Sequence, residues 1–179
     1  MPGQTELAPH LLRDRLGLLE YVNADTIAQG LSAFQPEQAA FEAGRIMLKR
    51  LRELAEQRRS FAFETTLATR SYAAWLRRLR EQSYQIHLSL ICLRSPEMAI
   101  QRVKYRVASG GHDIPETTIR RRYQKGVRNF FSLYRELTDS WSVYDNSTSF
   151  APVLIANGKK GAERILDSDL WQHFREVSQ

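Results

Sequence analysis

Short apolar runs alternate with longer amphipathic segments along most of this chain. The runs at 19–25 (LEYVNAD), 61–65 (FAFET) and 86–93 (IHLSLICL) read as strands, the last apolar enough for burial on both faces. Residues 142–146 and 153–156 supply a fourth and a fifth. Helices fill the gaps. Ala39, Ala43, Ile46, Met47, Leu51 and Leu54 recur at helical spacing within 36–57, and Pro36 suits a first turn. Trp75, Leu76 and Leu79 mark a helix over 71–82. Ser95 caps a helix that should stop at Gly110-Gly111. Asp113-Ile114-Pro115-Glu116 has the form of a capping box for a long helix reaching Leu137. Strands alternating with helices predict an α/β domain on a mostly parallel sheet.

In such sheets ligands sit at the carboxyl ends of the strands. That rule selects Asn23 and Asp25, then Glu64, Thr65 and Thr66, then Asp145 and Asn146. An acid at one strand end is often only a helix cap, and three strands ending this way suggest a shared polar rim. Asp25 has the alternative reading of a cap for a helix starting at Thr26. Asp145 and Asn146 read rather as turn residues.

A chain of 179 residues is expected to form one domain, residues 1–179, with a sizeable core. No apolar run approaches ~18 residues, so no membrane span is expected. The first residues lack a basic region followed by an apolar core, so they do not read as a secretory signal. The single cysteine, Cys92, lies in an apolar run and reads as a buried, inert thiol. These features point to the cytoplasm. The net charge of +6 is uneven: from Arg70 to Arg135 there are 14 Lys and Arg against 4 Asp and Glu, leaving 12 against 16 elsewhere. The middle of the chain therefore suits an anionic partner, or presents a solvated helix face. The stretch RRRYQKGVRNFF mixes bases and aromatics, as single-strand nucleic-acid sites do. At helical spacing, however, Tyr123, Val127, Phe130, Phe131 and Tyr134 form a core stripe, and nucleic acid is not the expected partner.

The segments YVNADTIAQGLS…PEQAAFEAGRIML, FAFETTLATRSY, AIQRVKYRVASGGHDIPETTIRRRYQKGVRNF and VYDNS resemble, in order and spacing, the zeta-toxin-like P-loop kinases of bacteria. The resemblance runs from Thr5 to Asn157. It implies a three-layer P-loop-kinase-like fold and transfer of a phosphoryl group from ATP, with Mg2+, to a small-molecule hydroxyl. In the zeta toxins proper the acceptor is a UDP-linked amino sugar. The resemblance makes Asp25 the base on the acceptor hydroxyl. It assigns Asn23, Glu64, Thr66 and Arg70 to substrate binding. Arg102 and Arg106 meet the transferring phosphate; they stand i and i+4 on one helix and share a face. His112 lies in the lid region, where the zeta toxins proper carry an arginine, and Arg120 and Arg121 follow as phosphate ligands. An antitoxin, or a second copy completing the sheet, is an expected partner.

Against this family, Gly3-Gln4-Thr5 aligns with the Gly-Lys-Ser/Thr that ends a P-loop, and Thr5 takes the place of the Mg2+ ligand. Gln4 holds the position of the lysine that reaches the β- and γ-phosphates. It donates hydrogen bonds but brings no charge. The family's first strand and glycine-rich turn would precede Gly3, so the chain is expected to be N-terminally truncated relative to the family. A sheet lacking that strand leaves 61–65 and 86–93 to pair directly or to take a strand from elsewhere. A phosphotransferase and a nucleotide-binding pseudokinase are both consistent with this start.

Overall fold

The computed structural model describes residues 18–33, 35, 36, 38–108, 113–148 and 151–179. The chain forms two compact units, Met1–Thr65 and Thr66–Gln179. In the first, β1 (Glu20–Val22) runs parallel to β2 (Phe61–Phe63), with Val22 opposite Phe63. Two helices connect them, α1 (Ala24–Leu31) and α2 (Ala40–Glu56). Helix α2 buries Ala43, Met47, Leu51, Leu54 and Ala55, a stripe at three- and four-residue spacing. Arg50 and Arg59 hold Glu20 from two directions, at 3.0 and 3.3 Å.

Here the expected boundaries shift. Helix α2 opens at Ala40 rather than at Pro36, because Ala39 N–H closes a tight turn onto the Pro36 carbonyl, 3.1 Å away. Strand β1 ends at Val22, so Asp25 lies in the first turn of α1 and not on the strand. The cap of that helix is Asn23.

The second unit holds α3 (Ser71–Glu81), β3 (His87–Cys92), α4 (Pro96–Ala108) and α5 (Glu116–Asn129). A π-helical turn (Phe130–Tyr134) and α6 (Arg135–Leu137) continue α5, so helical structure does reach Leu137. Strands β4 (Ser140–Asp145), β5 (Val153–Lys159), β6 (Ala162–Ile165) and helix α7 (Ser168–Val177) complete it. The sheet order is β3-β4-β5-β6. Strands β3 and β4 are parallel, with Cys92 opposite Asp145, whereas β4–β5 and β5–β6 are antiparallel. The result is a mixed α/β fold whose parallel ladders are flanked by helices.

Aromatic packing builds the core of this unit. Trp141 of β4 stacks on Trp171 of α7, with centroids 5.4 Å apart and planes 5° from parallel. Phe130 meets Trp141 edge-on at 5.8 Å. Of the expected core stripe, Val127, Phe130 and Tyr134 are buried, and Tyr123 and Phe131 are half-buried.

Three expectations are corrected here. Strand β3 is not buried on both faces: His87 and Ser89 are exposed, and among the described residues its strand partner is β4 alone. The capping box at Asp113–Glu116 does not form. Pro115 is the N-cap, the Asp113 carboxylate accepts from Ile114 N–H, and Glu116 is drawn away by Lys104 at 2.7 Å. Strands 61–65 and 86–93 do not pair directly, because β2 and β3 belong to separate sheets. The fifth strand expected at 153–156 forms as β5 and runs on to Lys159, whereas β6 and α7 have no counterpart in the sequence reading. No helix among the described residues is long and apolar enough to cross a membrane.

Candidate functional site

In the first unit, chemistry gathers at the carboxyl ends of β1 and β2. Asn23 stands where β1 gives way to α1. Its side-chain oxygen accepts from the N–H groups of Asp25 at 2.7 Å and Thr26 at 3.1 Å, which caps the helix. Its amide nitrogen donates to Glu64 at 2.7 Å and to the Tyr21 hydroxyl at 3.2 Å. The amide thus uses both acceptor positions and both donors inside the cluster. The side chain is buried, and its orientation is fixed by these four bonds. Asp25 is exposed, one residue into the helix, where the macrodipole favours an acid. Burial raises the Tyr21 hydroxyl well above the ordinary phenol range, and the Glu64 and Asp25 charges add to it against the Asn23 hydrogen bond. Tyr21 is therefore neutral beside Glu64. The sequence reading missed it because a tyrosine inside an apolar run reads as core.

In the second unit, the carboxyl ends of β3 and β4 carry another constellation. Asp145 is 3% exposed. One oxygen accepts from Ser147 N–H at 2.9 Å, and the other takes both Nε and an Nη of Arg94 at 2.9 Å. Burial alone would raise this carboxyl; the Ser147 donors and the Arg94 guanidinium outweigh it and hold it below the usual carboxylate range. Arg102 donates to the Asn146 carbonyl. Tyr123 donates to the Leu93 carbonyl at 2.9 Å, and its hydroxyl is likewise raised by burial. Asp145 and Asn146 are thus a buried strand end, not a plain turn. Arg94 follows the apolar run directly, and the strand-end rule would have found it had bases been counted with acids.

The remaining candidates lie on the helices and one loop of this unit. Ser95 caps α4 as expected, accepting from Met98 N–H at 3.3 Å. Arg102 and Arg106 are exposed on that helix. Arg120 pairs with Glu97, and its hydrogen bond holds that carboxylate below its ordinary range. Arg120, Arg121, Lys125 and Arg128 line one groove along α5 with Thr117 and Gln124. Thr66 and Arg70 are exposed on the loop that leads into α3. Gly3, Gln4, Thr5 and His112 lie outside the described residues.

The donor set fits a polyphosphate: guanidinium groups present planar, permanently charged forks to oxygen anions. No group of three or more His, Cys, Asp or Glu among the described residues is placed to hold a metal ion. Mg2+ in phosphoryl-transfer sites takes most of its ligands from phosphates and water, so the donor chemistry here does not conflict with it.

A chain solved in "Molecular and structural characterization of the PezAT chromosomal toxin-antitoxin system of the human pathogen Streptococcus pneumoniae" superposes with a TM-score of 0.57 at 14% identity, covering 98% of this chain and 80% of that one. At that identity the likeness shows the fold. An uncharacterized protein of Haemophilus influenzae is 30% identical over 102 residues, 57% of this chain and 73% of that protein. The family model described as Zeta toxin matches residues 27–157. That match runs from within α1 into β5 and takes in well over half of the sequence, and the chain belongs to the Zeta toxin family.

Proposed function

We propose that this chain transfers the terminal phosphoryl group of ATP to a hydroxyl of a small molecule, a nucleotide sugar or a similar compound. The observation that carries the reading is the hydrogen-bonded pair of buried Asn23 and half-buried Glu64 beside an exposed Asp25 at the carboxyl ends of two parallel strands. ATP with Mg2+ supplies the phosphoryl group. Asp25 takes the proton as the acceptor oxygen bonds to phosphorus and the bridging oxygen leaves with ADP. Glu64 accepts a hydrogen bond from an acceptor hydroxyl. Asn23 acts through Glu64, since its own donors and acceptors are already used. Thr66 and Arg70 are assigned to the acceptor as well. Arg102 and Arg106 neutralise the transferring group; the bond from Arg102 to Asn146 occupies one Nη and leaves other N–H groups for phosphate. Arg120, Arg121 and His112 hold the nucleotide phosphates with Gly3, Gln4 and Thr5, and Thr5 contributes to Mg2+.

Calorimetric titration of Mg-ATP tests the first half. Micromolar binding is expected, and no heat up to millimolar ATP overturns it. An ATP-consumption screen over nucleotide sugars, nucleosides and dinucleotides tests the second half. Asp25→Ala is expected to bind ATP, remain folded and transfer nothing. Transfer at the wild-type rate by that variant removes Asp25 from the chemistry.

A second reading rests on Gln4 in the lysine position: a protein that binds an anionic ligand without turnover and works by association. The structural neighbour comes from a toxin–antitoxin system, which supports an antitoxin as the associating partner. Multiple turnover by the purified chain excludes this reading.

A further inference from the structure

Loop 66–70 carries two of the proposed acceptor ligands, and its backbone is received by one helical face of the same unit. The Thr66 carbonyl lies so close to Gly126 of α5 that a Cβ there would stand 2.6 Å from the oxygen. Asn129 donates to the Leu67 carbonyl at 2.7 Å. Tyr134 donates to the Thr69 carbonyl at 2.6 Å. Asn129 and Tyr134 are both buried. Three carbonyls of one short loop therefore end on three residues of one continuous helical segment.

The loop is not in a relaxed shape. Leu67 has φ 56°, a left-handed conformation that side chains other than glycine seldom adopt, and it is buried. Such a residue persists where its surroundings over-determine it. The helix is shaped to provide those surroundings. In an uninterrupted α-helix, Asn129 and Tyr134 would point about 140° apart, at about 100° per residue. The π turn at Phe130–Tyr134 takes up roughly one residue step and brings them to within about 40°. Gly126, one turn earlier, shares that face. A glycine, a buried amide, a buried phenol and a π turn all serve one loop.

We propose that α5 and its π turn are the positioning element of loop 66–70, holding its backbone through Gly126, Asn129 and Tyr134 so that Thr66 and Arg70 are presented to the acceptor. The proposal rests on the reading of Thr66 and Arg70 as acceptor ligands. Gly126, Asn129 and Tyr134 touch neither substrate in it; they act through the loop.

Trypsin cleaves after Arg70, which gives a readout independent of activity. Tyr134→Phe and Asn129→Leu remove one donor each and keep the volume. In the folded full-length chain, each is expected to speed cleavage after Arg70 about tenfold, as loss of one hydrogen bond from a locally opening segment does. Acceptor KM is expected to rise by a similar factor with kcat and ATP KM little changed. Gly126→Ala is expected to act in the same direction more strongly, and the two conservative variants decide the matter if it does not fold. Unchanged cleavage after Arg70 in folded Tyr134→Phe and Asn129→Leu overturns the proposal. So does faster cleavage with acceptor KM unchanged. Absence of phosphotransfer by the wild-type chain overturns the proposed function instead, and the cleavage rates still decide whether the helix holds the loop.

Discussion

Asn23 donates to Glu64 at 2.7 Å across 41 positions of sequence, and the same side chain caps α1. One residue thereby ties the end of β1, the start of the following helix and the acid at the end of β2. Two substitutions separate these duties. Asn23→Ala loses the cap, worth about 1 kcal/mol, and removes the amide that donates to Glu64. A fall in Tm of about 2–4 °C per kcal/mol is expected by thermal unfolding. Asn23→Asp keeps the cap oxygen but sets a carboxylate against Glu64. At pH 7 it is expected to be less stable than the wild type. Adding Glu64→Gln removes the like charge and is expected to recover most of the loss. No recovery in the double variant would mean that Asn23 and Glu64 are not coupled.

Asp145 gives a pH dependence. Its carboxyl is held below the ordinary range in the folded protein, so the unfolded chain binds the proton more readily. The stabilisation is present in full above the unfolded value, about 3.9. It is lost as the pH drops from there through the lowered folded value. Asp145→Ala should therefore lie below the wild type in Tm at pH 7 and converge on it in strong acid. Half-exposure of Arg94 moderates the loss to about 1–3 kcal/mol, since the freed guanidinium can turn to water.

These two acids show which parts of the architecture can be read from local sequence. Glu64 and Asp145 were legible as positions, because both end apolar runs and strand ends are where α/β sheets place polar groups. Their partners were less so. Glu64 finds Asn23, and Asp145 finds Arg94 51 positions away, and neither pairing leaves a local trace. The helix ends failed for a related reason. Glu116 has the spacing of a capping box, but an ion pair with Lys104 of α4 takes its carboxylate. The π turn was invisible because its residues keep ordinary helical patterning, and only the demand of loop 66–70 for two donors on one face gives it a purpose. Strand β6 lacks the apolar alternation of a half-buried ribbon, since all of Ala162–Ile165 is exposed.

Cys92 lies beside this strand end. Burial first, and then the Asp145 charge, push its thiol up to about 12. The thiolate is the reactive form, so at pH 8 the folded protein holds almost none of it. An aromatic disulfide reagent is expected to leave Cys92 unmodified over hours in buffer and to modify it within minutes in denaturant. Rapid modification of the folded chain would show that the β3 end opens far more readily than its packing implies.

Gly158 of β5 sits opposite Trp141 in the β4–β5 ladder, and a Cβ there would fall 2.5 Å from the indole Cζ2 and 3.0 Å from the Ala162 carbonyl. The indole cannot retreat, because its other contacts are the stacked Trp171 and the edge of Phe130. Arg135 also lies over it, with the guanidinium carbon 5.7 Å from the ring centroid. Relief must come from spreading the ladder or from shifting the Trp pair. Overpacking of a filled site costs about 1–3 kcal/mol, and Gly158→Ala is expected in that range by chemical denaturation. The strain falls on a tryptophan pair, so the emission of the folded variant should change with its stability. Emission and stability both matching the wild type would place Trp141 away from Gly158. None of the proposed ligands lies on β4 or β5, so Mg-ATP binding measured per folded molecule is expected to be unaltered.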